Sequence, residues 1–201
     1  MNKGREFLKD TVRRETDFSQ TGQSRGLEPP PVEKPCRDGA VLVDLPSPGS
    51  WTGIDETGLR DAIAARRSRR RYRKEALSLD EISFLLWATQ GVRRALSPAA
   101  VFRTVPSAGC RHAFETYVVA LRVAGLDGGI YRYLPLRHRL CLERQADDLP
   151  PLLAEATLGQ RFVGNAAAVF AWTAIPSRME WRYGEASYKV IALDAGHVCQ
   201  N

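Results

Sequence analysis

The heptapeptide R-R-S-R-R-R-Y at residues 66–72 holds five arginines, one serine and one tyrosine. Arg66 and Arg70 flank Ser68, so one short loop offers two guanidinium forks and a hydroxyl. That set suits a phosphate monoester, which accepts several charge-assisted bonds at once. Two other readings stand beside it. A run of like charge is usually a solvated surface turn, and a basic patch can also grip a polynucleotide backbone. Polynucleotide binding wants basic residues spread along a face with exposed aromatics for stacking. Most aromatics of this chain instead fall in strand or helix-face positions, where packing claims them.

A second stretch, V-P-S-A-G-C-R-H-A-F-E at residues 105–115, lies between a helix and a run of strand-forming residues. Pro106, Ser107, Ala108 and Gly109 are rigid or small, so the backbone can approach a flat ligand closely and turn amide groups to its edge. The same residues are compatible with an ordinary connecting loop. His112 reads as a surface or helix-entry histidine and Glu115 as a strand-edge acid. Tyr131, Tyr133 and Trp181 are candidate pocket walls, with core packing as the competing role of each. No side chain is nominated as catalytic, and none as a metal ligand. Cys36, Cys110, Cys141 and Cys199 are far apart without a C-x-x-C pair, so free thiols are expected rather than a zinc site or a disulfide framework.

These residues need a frame. A chain of 201 residues with 44% hydrophobic content can bury one sizeable core. Lys and Arg number 29 against 23 acidic residues, a net charge of +6 with pI near 9.4, which favours an anionic ligand without the imbalance of a dedicated polynucleotide binder. There is no apolar run of about 18 residues and the first stretch is charged throughout, so neither a membrane span nor a signal peptide is expected, and the expected location is cytoplasmic.

The elements follow from spacing. A short charged helix is expected over Arg5 to Arg14, and the run T-G-Q-S-R-G-L-E-P-P-P-V-E-K-P then forbids regular structure, leaving an arm that wraps or dangles. G-A-V-L-V-D-L-P reads as a short strand. G-L-R-D-A-I-A-A-R-R, entered through Asp55 and Thr57, is a helix that delivers Arg66 and Arg67 at its end. Ser78-Leu79-Asp80-Glu81 is a capping box, with Leu79, Ile82, Leu85 and Leu86 on the core face of a helix to about Gln90. After a loop around Pro98, F-E-T-Y-V-V-A-L-R-V reads as a buried strand. Gly129 to Leu134 and Arg139 to Glu143 form a hairpin turning through Pro135. A helix over Pro151 to Phe162, a buried strand in A-A-A-V-F-A-W-T-A-I and a helix from about Glu185 complete the order. In that last helix Tyr188, Ile191, Ala195, Val198 and Cys199 repeat at helical spacing.

Several motifs in this order resemble the nitroreductase-like FMN-dependent flavoproteins, and within them the SagB-type dehydrogenases. R-R-S-R-R-R-Y is similar to the family's R-R-S-x-R-x-Y/F element, and L-L-W-A-T-Q-G follows the capped helix as it does there. V-P-S-A-G-C-R-H-A-F-E resembles the P-S-A/G-G-x-x-x-P-x-E loop, with Ala113 in place of the second proline. G-G-I-Y-R-Y-L-P-L-R-H-R-L resembles the G-x-Y-x-Y-x-P-x-x-H-x-L hairpin, and L-D-A-G-H-V-C-Q-N the start of a late helix. The arm, with Q-S-R-G-L-E-P-P-P-V-E-K-P, looks like the leader of the subgroup.

The resemblance implies an α+β fold with a central, mostly antiparallel sheet flanked by helices. It implies FMN bound at a homodimer interface and hydride transfer through flavin N5, with NAD(P)H as electron donor. By carry-over Arg66, Ser68 and Arg70, with Arg67 beside them, hold the FMN phosphate and ribityl chain. Pro106, Ser107 and Ala108, with Gly109, line the isoalloxazine from the neighbouring protomer. Residues 1–50 are then an arm and 51–201 a flavin domain. Family members continue past Asn201, so an incomplete C-terminal part is expected, and a flavin-less remnant or partner-binding protein is the alternative. Azoline rings in modified peptides, nitro compounds and quinones are all substrates within the family. No nucleic-acid or membrane partner is expected.

Overall fold

The capping box at Ser78 forms as its spelling dictates. The Ser78 amide donates to Glu81 Oε2 at 2.7 Å, and the Glu81 amide donates back to Ser78 Oγ at 3.1 Å. The helix it opens, Leu79–Gln90, ends on the predicted residue. Ile82 and Leu86 are fully buried, but Leu85 is 39% exposed, a correction to the expected apolar face. The buried positions are 82, 83, 86, 89 and 90, so Ser83 takes the place assigned to Leu85, and its hydroxyl donates to the Pro46 carbonyl.

The computed structural model describes residues 2–97 and 100–201. In chain order the elements are α1 (Lys3–Leu8), α2 (Thr11–Glu15), β1 (Leu42–Asp44), α3 (Leu59–Ala65), α4 (Leu79–Gln90), β2 (Val92–Ser97), β3 (Ala100–Arg103), β4 (Phe114–Ala120), β5 (Gly129–Leu134), β6 (Arg139–Gln145), α5 (Leu149–Ala156), β7 (Ala168–Ala174), α6 (Pro176–Tyr183) and α7 (Ser187–Gln200). Pro98, on which the expected loop falls, lies outside the described residues; the segments on either side pair as the antiparallel hairpin β2–β3, which the sequence reading lacked. The single helix expected over Arg5 to Arg14 is two, because Lys9 turns extended and Asp10 pairs with Arg13 in the next turn. The helix expected over Pro151 to Phe162 stops at Ala156, where Leu158 and Gly159 take positive φ, and a 3-10 turn covers 161–165.

Five strands form one sheet in the order β1-β6-β5-β4-β7, with β1–β6, β6–β5 and β5–β4 paired antiparallel. The fold is α+β: an antiparallel sheet with helices beside it. β4 is buried along nearly its whole length, whereas β7, at the sheet edge, is only half-buried, which corrects the expectation of a second buried strand. Among the described residues no helix is long and apolar enough to cross a membrane.

The chain divides into two compact units. The sheet unit comprises 36–86 and 117–171. Its core sets Ile82 and Leu86 of α4 against Val118 and Ala120 of β4, Tyr131 and Tyr133 of β5 and Leu140 of β6. Tyr131 and Tyr133 are therefore core residues whose hydroxyls are satisfied locally, by the Asp127 carbonyl at 2.9 Å and by His138 Nδ1 at 2.7 Å.

The arm unit comprises the chain up to Pro35, then 87–116 and 172–201. Its apolar cluster is small: Val105, Phe114 and Val198, flanked by Trp172, Ile191 and Ala195. Tyr188 and Cys199 of α7 face outward, and Ser187 and Asp194 are buried beside Val198 instead. Val32, Val101, Ala113, Met179 and Ala186 are buried as well, and buried polar side chains fill much of the remaining interior. The arm neither dangles nor folds regularly. Pro30 and Pro31 cannot donate and their extended backbone leaves carbonyls open, so three arginines take one carbonyl each. Arg111 Nη2 donates to Pro30 O at 3.0 Å, Arg178 Nε to Pro31 O at 2.7 Å and Arg103 Nη2 to Val32 O at 2.8 Å.

Candidate functional site

Two candidate groups stand out, one in each unit. In the sheet unit α3 ends at Ala65 with Arg66 as its C-cap, so the helix delivers the arginine cluster where the sequence placed it. Residues 66–72 form no regular element and are exposed. Arg66, Arg67, Arg69, Arg70 and Arg71 make no ion pair among the described residues, so five positive charges face solvent without a carboxylate to neutralise them. Arg70 lies over the Phe162 ring, 5.9 Å from its centre. Arg70, Arg71, Tyr72, Arg73 and Lys74 line an open concavity of about 720 Å³ with Arg122 and Asn165. Arg122 shapes its wall, donating to the carbonyls of Lys74, Arg73 and Asn165 at 3.2, 3.2 and 2.9 Å. Arg66, Arg67 and Ser68 are not part of this lining.

In the arm unit the P-S-A-G segment is a pinned turn. Ser107 Oγ donates to Asp194 Oδ2 at 2.6 Å and accepts from the His112 amide at 3.0 Å. Asp194, buried on α7, also accepts from the Ala108 amide. Burial pushes its carboxyl above the usual range, while Ser107, Ala108 and His197 pull it back. Gly109 has φ +60°, and a Cβ there would stand 2.5 Å from Arg182 Cδ, so only glycine fits without displacement. Pro106 and Ser107 open onto a concavity of about 730 Å³ lined by Arg93, Arg94, Phe102, Arg103 and His112; Ala108 and Gly109 shape the turn behind it.

His112 and Glu115 are not the surface groups the sequence suggested. His112 is buried, its Nε2 is 2.9 Å from the Val101 carbonyl, and burial with Arg103 nearby drives its pKa down to about 3. A carbonyl partner places a proton on Nε2, and the lowered pKa keeps the imidazole neutral at pH 7. Glu115 forms a buried ion pair with Arg178 and accepts the Lys34 amide at 2.9 Å. Arg178 Nη1 reaches the His112 carbonyl at 3.3 Å. Arg111 donates to Arg178 O at 3.0 Å and stacks 4.7 Å from the Trp181 ring centre. Burial and the cations beside it pull the Arg111 pKa below its ordinary value. Trp181 gives its indole N–H to the Leu27 carbonyl at 2.9 Å, which makes it an anchor for the arm.

The residues that reading the sequence missed are Asp194, Arg103, Arg111 and Arg178. Asp194 carried a usable signal: an acid on the same helical face as Ile191, Ala195 and Val198 must find a buried partner. Nothing local marks the three arginines, whose partners are up to 147 residues away.

The sheet order and flanking helices are those of an α+β nitroreductase-like fold. Residues 63–201 match the nitroreductase family, and the chain belongs to that family. A nitroreductase-family protein of Methanocaldococcus jannaschii is 35% identical over 74% of this chain and 72% of its own. The trifolitoxin-processing protein TfxB of Rhizobium leguminosarum is 34% identical over 62% of this chain, a match spanning only 36% of TfxB. A crystal structure of a nitroreductase-family protein from Ralstonia eutropha superposes with TM-score 0.61 at 29% identity, covering 87% of this chain and 77% of that one.

Proposed function

We propose that this protein is an FMN-dependent oxidoreductase of the SagB type, working as a homodimer with NAD(P)H as electron donor. When bound, FMN would supply a carrier that accepts a hydride at N5 from one reactant and passes it to another. The observation that carries the reading is the arginine cluster. Five exposed arginines without carboxylate partners among the described residues, at the end of a helix and beside a serine, suit a phosphate monoester. Arg66, Ser68 and Arg70 hold that phosphate, with Arg67 adding to the positive field. The pinned turn is the second support. Pro106, Ser107, Ala108 and Gly109 form a rigid wall able to face a planar ring, and in the dimer they serve the flavin of the partner protomer. Ser107 commits its hydroxyl proton to Asp194, so its role is to fix the turn, and the backbone does the facing. The arginines beside Pro106 in the concavity, Arg93, Arg94 and Arg103, suit a substrate or donor that carries negative charge. The relative named for trifolitoxin processing favours a toxin precursor over a small nitro compound or quinone as substrate.

FMN titration followed by fluorescence quenching tests the assignment. Arg66→Ala and Arg70→Ala should each weaken FMN by roughly 10- to 150-fold, the loss of about 1.5–3 kcal/mol for a charge-assisted bond. Arg69→Ala should change affinity by less than about threefold, as a screened surface charge does. Equal losses at all three would reduce the cluster to a diffuse field, and a wild-type protein that takes up no FMN would end the proposal.

A further inference from the structure

Arg132 and Cys141 are direct partners across β5 and β6, so their side chains rise from the same face of the sheet, and Glu143, two residues along β6, shares it. This is the face opposite Tyr131, Tyr133 and Leu140. The chain just past Pro35 lies on it. Arg132 Nη2 is 3.7 Å from Cys36 Sγ while its Nε pairs with Glu143 at 2.6 Å. Arg37 donates to the carbonyls of Leu142 and Glu143 at 3.4 and 3.2 Å. Cys36 and Cys141 are near enough to each other for Cys36 to act on the Cys141 thiol, and both are free thiols, the first half-buried and the second buried. Neither has a part in the flavin site proposed above.

We propose that Cys36 and Cys141 form an oxidisable pair, at which a hydroperoxide converts two thiols into a disulfide that ties the segment after Pro35 to strand β6. The two sulfurs have different tasks. Cys36 is only half-buried whereas Cys141 is buried, so Cys36 is the sulfur that meets the peroxide first. Burial and the neighbouring Cys36 push the Cys141 thiol up to about 11, so it stays protonated until it reacts. In the first step Cys36 Sγ takes one oxygen from hydrogen peroxide; the O–O bond breaks, and the remaining hydroxide leaves as water after gaining a proton. Cys141 Sγ then attacks Cys36 Sγ, the S–O bond breaks, and the departing hydroxyl carries off the Cys141 proton as a second water. The sulfur pair loses two electrons and the peroxide gains them.

Treating the full-length chain with hydrogen peroxide, counting thiols and mapping proteolytic peptides by mass spectrometry tests this. Two of the four thiols should disappear. One linked species should join the peptides of Cys36 and Cys141, lighter than their sum by two hydrogens and reversed by dithiothreitol. Cys36→Ser should abolish it, and the double variant Cys110→Ser/Cys199→Ser should retain it. If Cys36→Ser does not fold, that double variant decides alone, because its only thiols are the pair. Oxidation of Cys36 to a sulfinic acid with Cys141 still a thiol, a bond mapping to Cys110 or Cys199, or no thiol loss would each overturn the proposal.

Discussion

Arg178 binds four things at once: the Glu115 carboxylate, the carbonyls of Pro31 and His112, and, through its own carbonyl, Arg111. Removing its charge strands a buried carboxylate, so Arg178→Met should cost about 3–5 kcal/mol in urea unfolding, and adding Glu115→Gln should recover part of that loss. His112 predicts a pH dependence of definite sign. Its folded pKa, about 3, lies below the unfolded value of 6.5, so between these limits the unfolded chain binds more protons. Stability is therefore full above pH 6.5 and falls as pH drops towards 3. Each pH unit in that window is worth about 1.4 kcal/mol. Unfolding at pH 7 and pH 5 should show wild type losing about 2 kcal/mol more than His112→Gln.

At the level of elements, the turn at residues 107–110 is held from α7, and the strength of that hold can be measured. Asp194→Ala frees the Ser107 hydroxyl and the Ala108 amide, and should weaken FMN by about tenfold with Asp194→Asn intermediate, as read by flavin fluorescence. Gly109→Ala should cost roughly 1–2 kcal/mol for the left-handed backbone alone, before Arg182 moves aside. What was legible in the sequence at this scale was local. The capping box, α3 with its arginine exit, β4 and the β5–β6 hairpin could be read because short-range hydrogen bonds and period-two alternation write themselves into neighbouring residues. β7 was read as buried because A-A-A-V-F-A-W-T-A-I is apolar but for Thr173; strand order, which decides that it is an edge, is not written in that segment. The hairpin β2–β3 was missed because V-R-R-A-L-S carries arginines where a strand pattern wants alternation.

For the molecule as a whole, the family and the α+β fold were legible in ordered motifs, and the division into two units was not, since it depends on which distant segments pack together. The arm is the decisive case: its prolines announce irregular structure, but only the fold discloses that Pro30, Pro31 and Val32 satisfy three buried guanidinium groups. Deleting residues 2–15, whose side chains are largely exposed, should leave soluble protein with near-native circular dichroism. Deleting residues 2–35 should not, because Arg103, Arg111 and Arg178 then lose their carbonyl partners together; soluble yield and far-UV spectra distinguish the two. The same contacts set a timetable for biosynthesis. Pro31 leaves the ribosome 147 residues before Arg178, and at roughly 5–20 residues per second the arm waits about 7–30 s for its last partner. During translation this early segment is thus among the late ones to settle, and a chaperone acting on this chain would meet a proline-rich arm still without its seat.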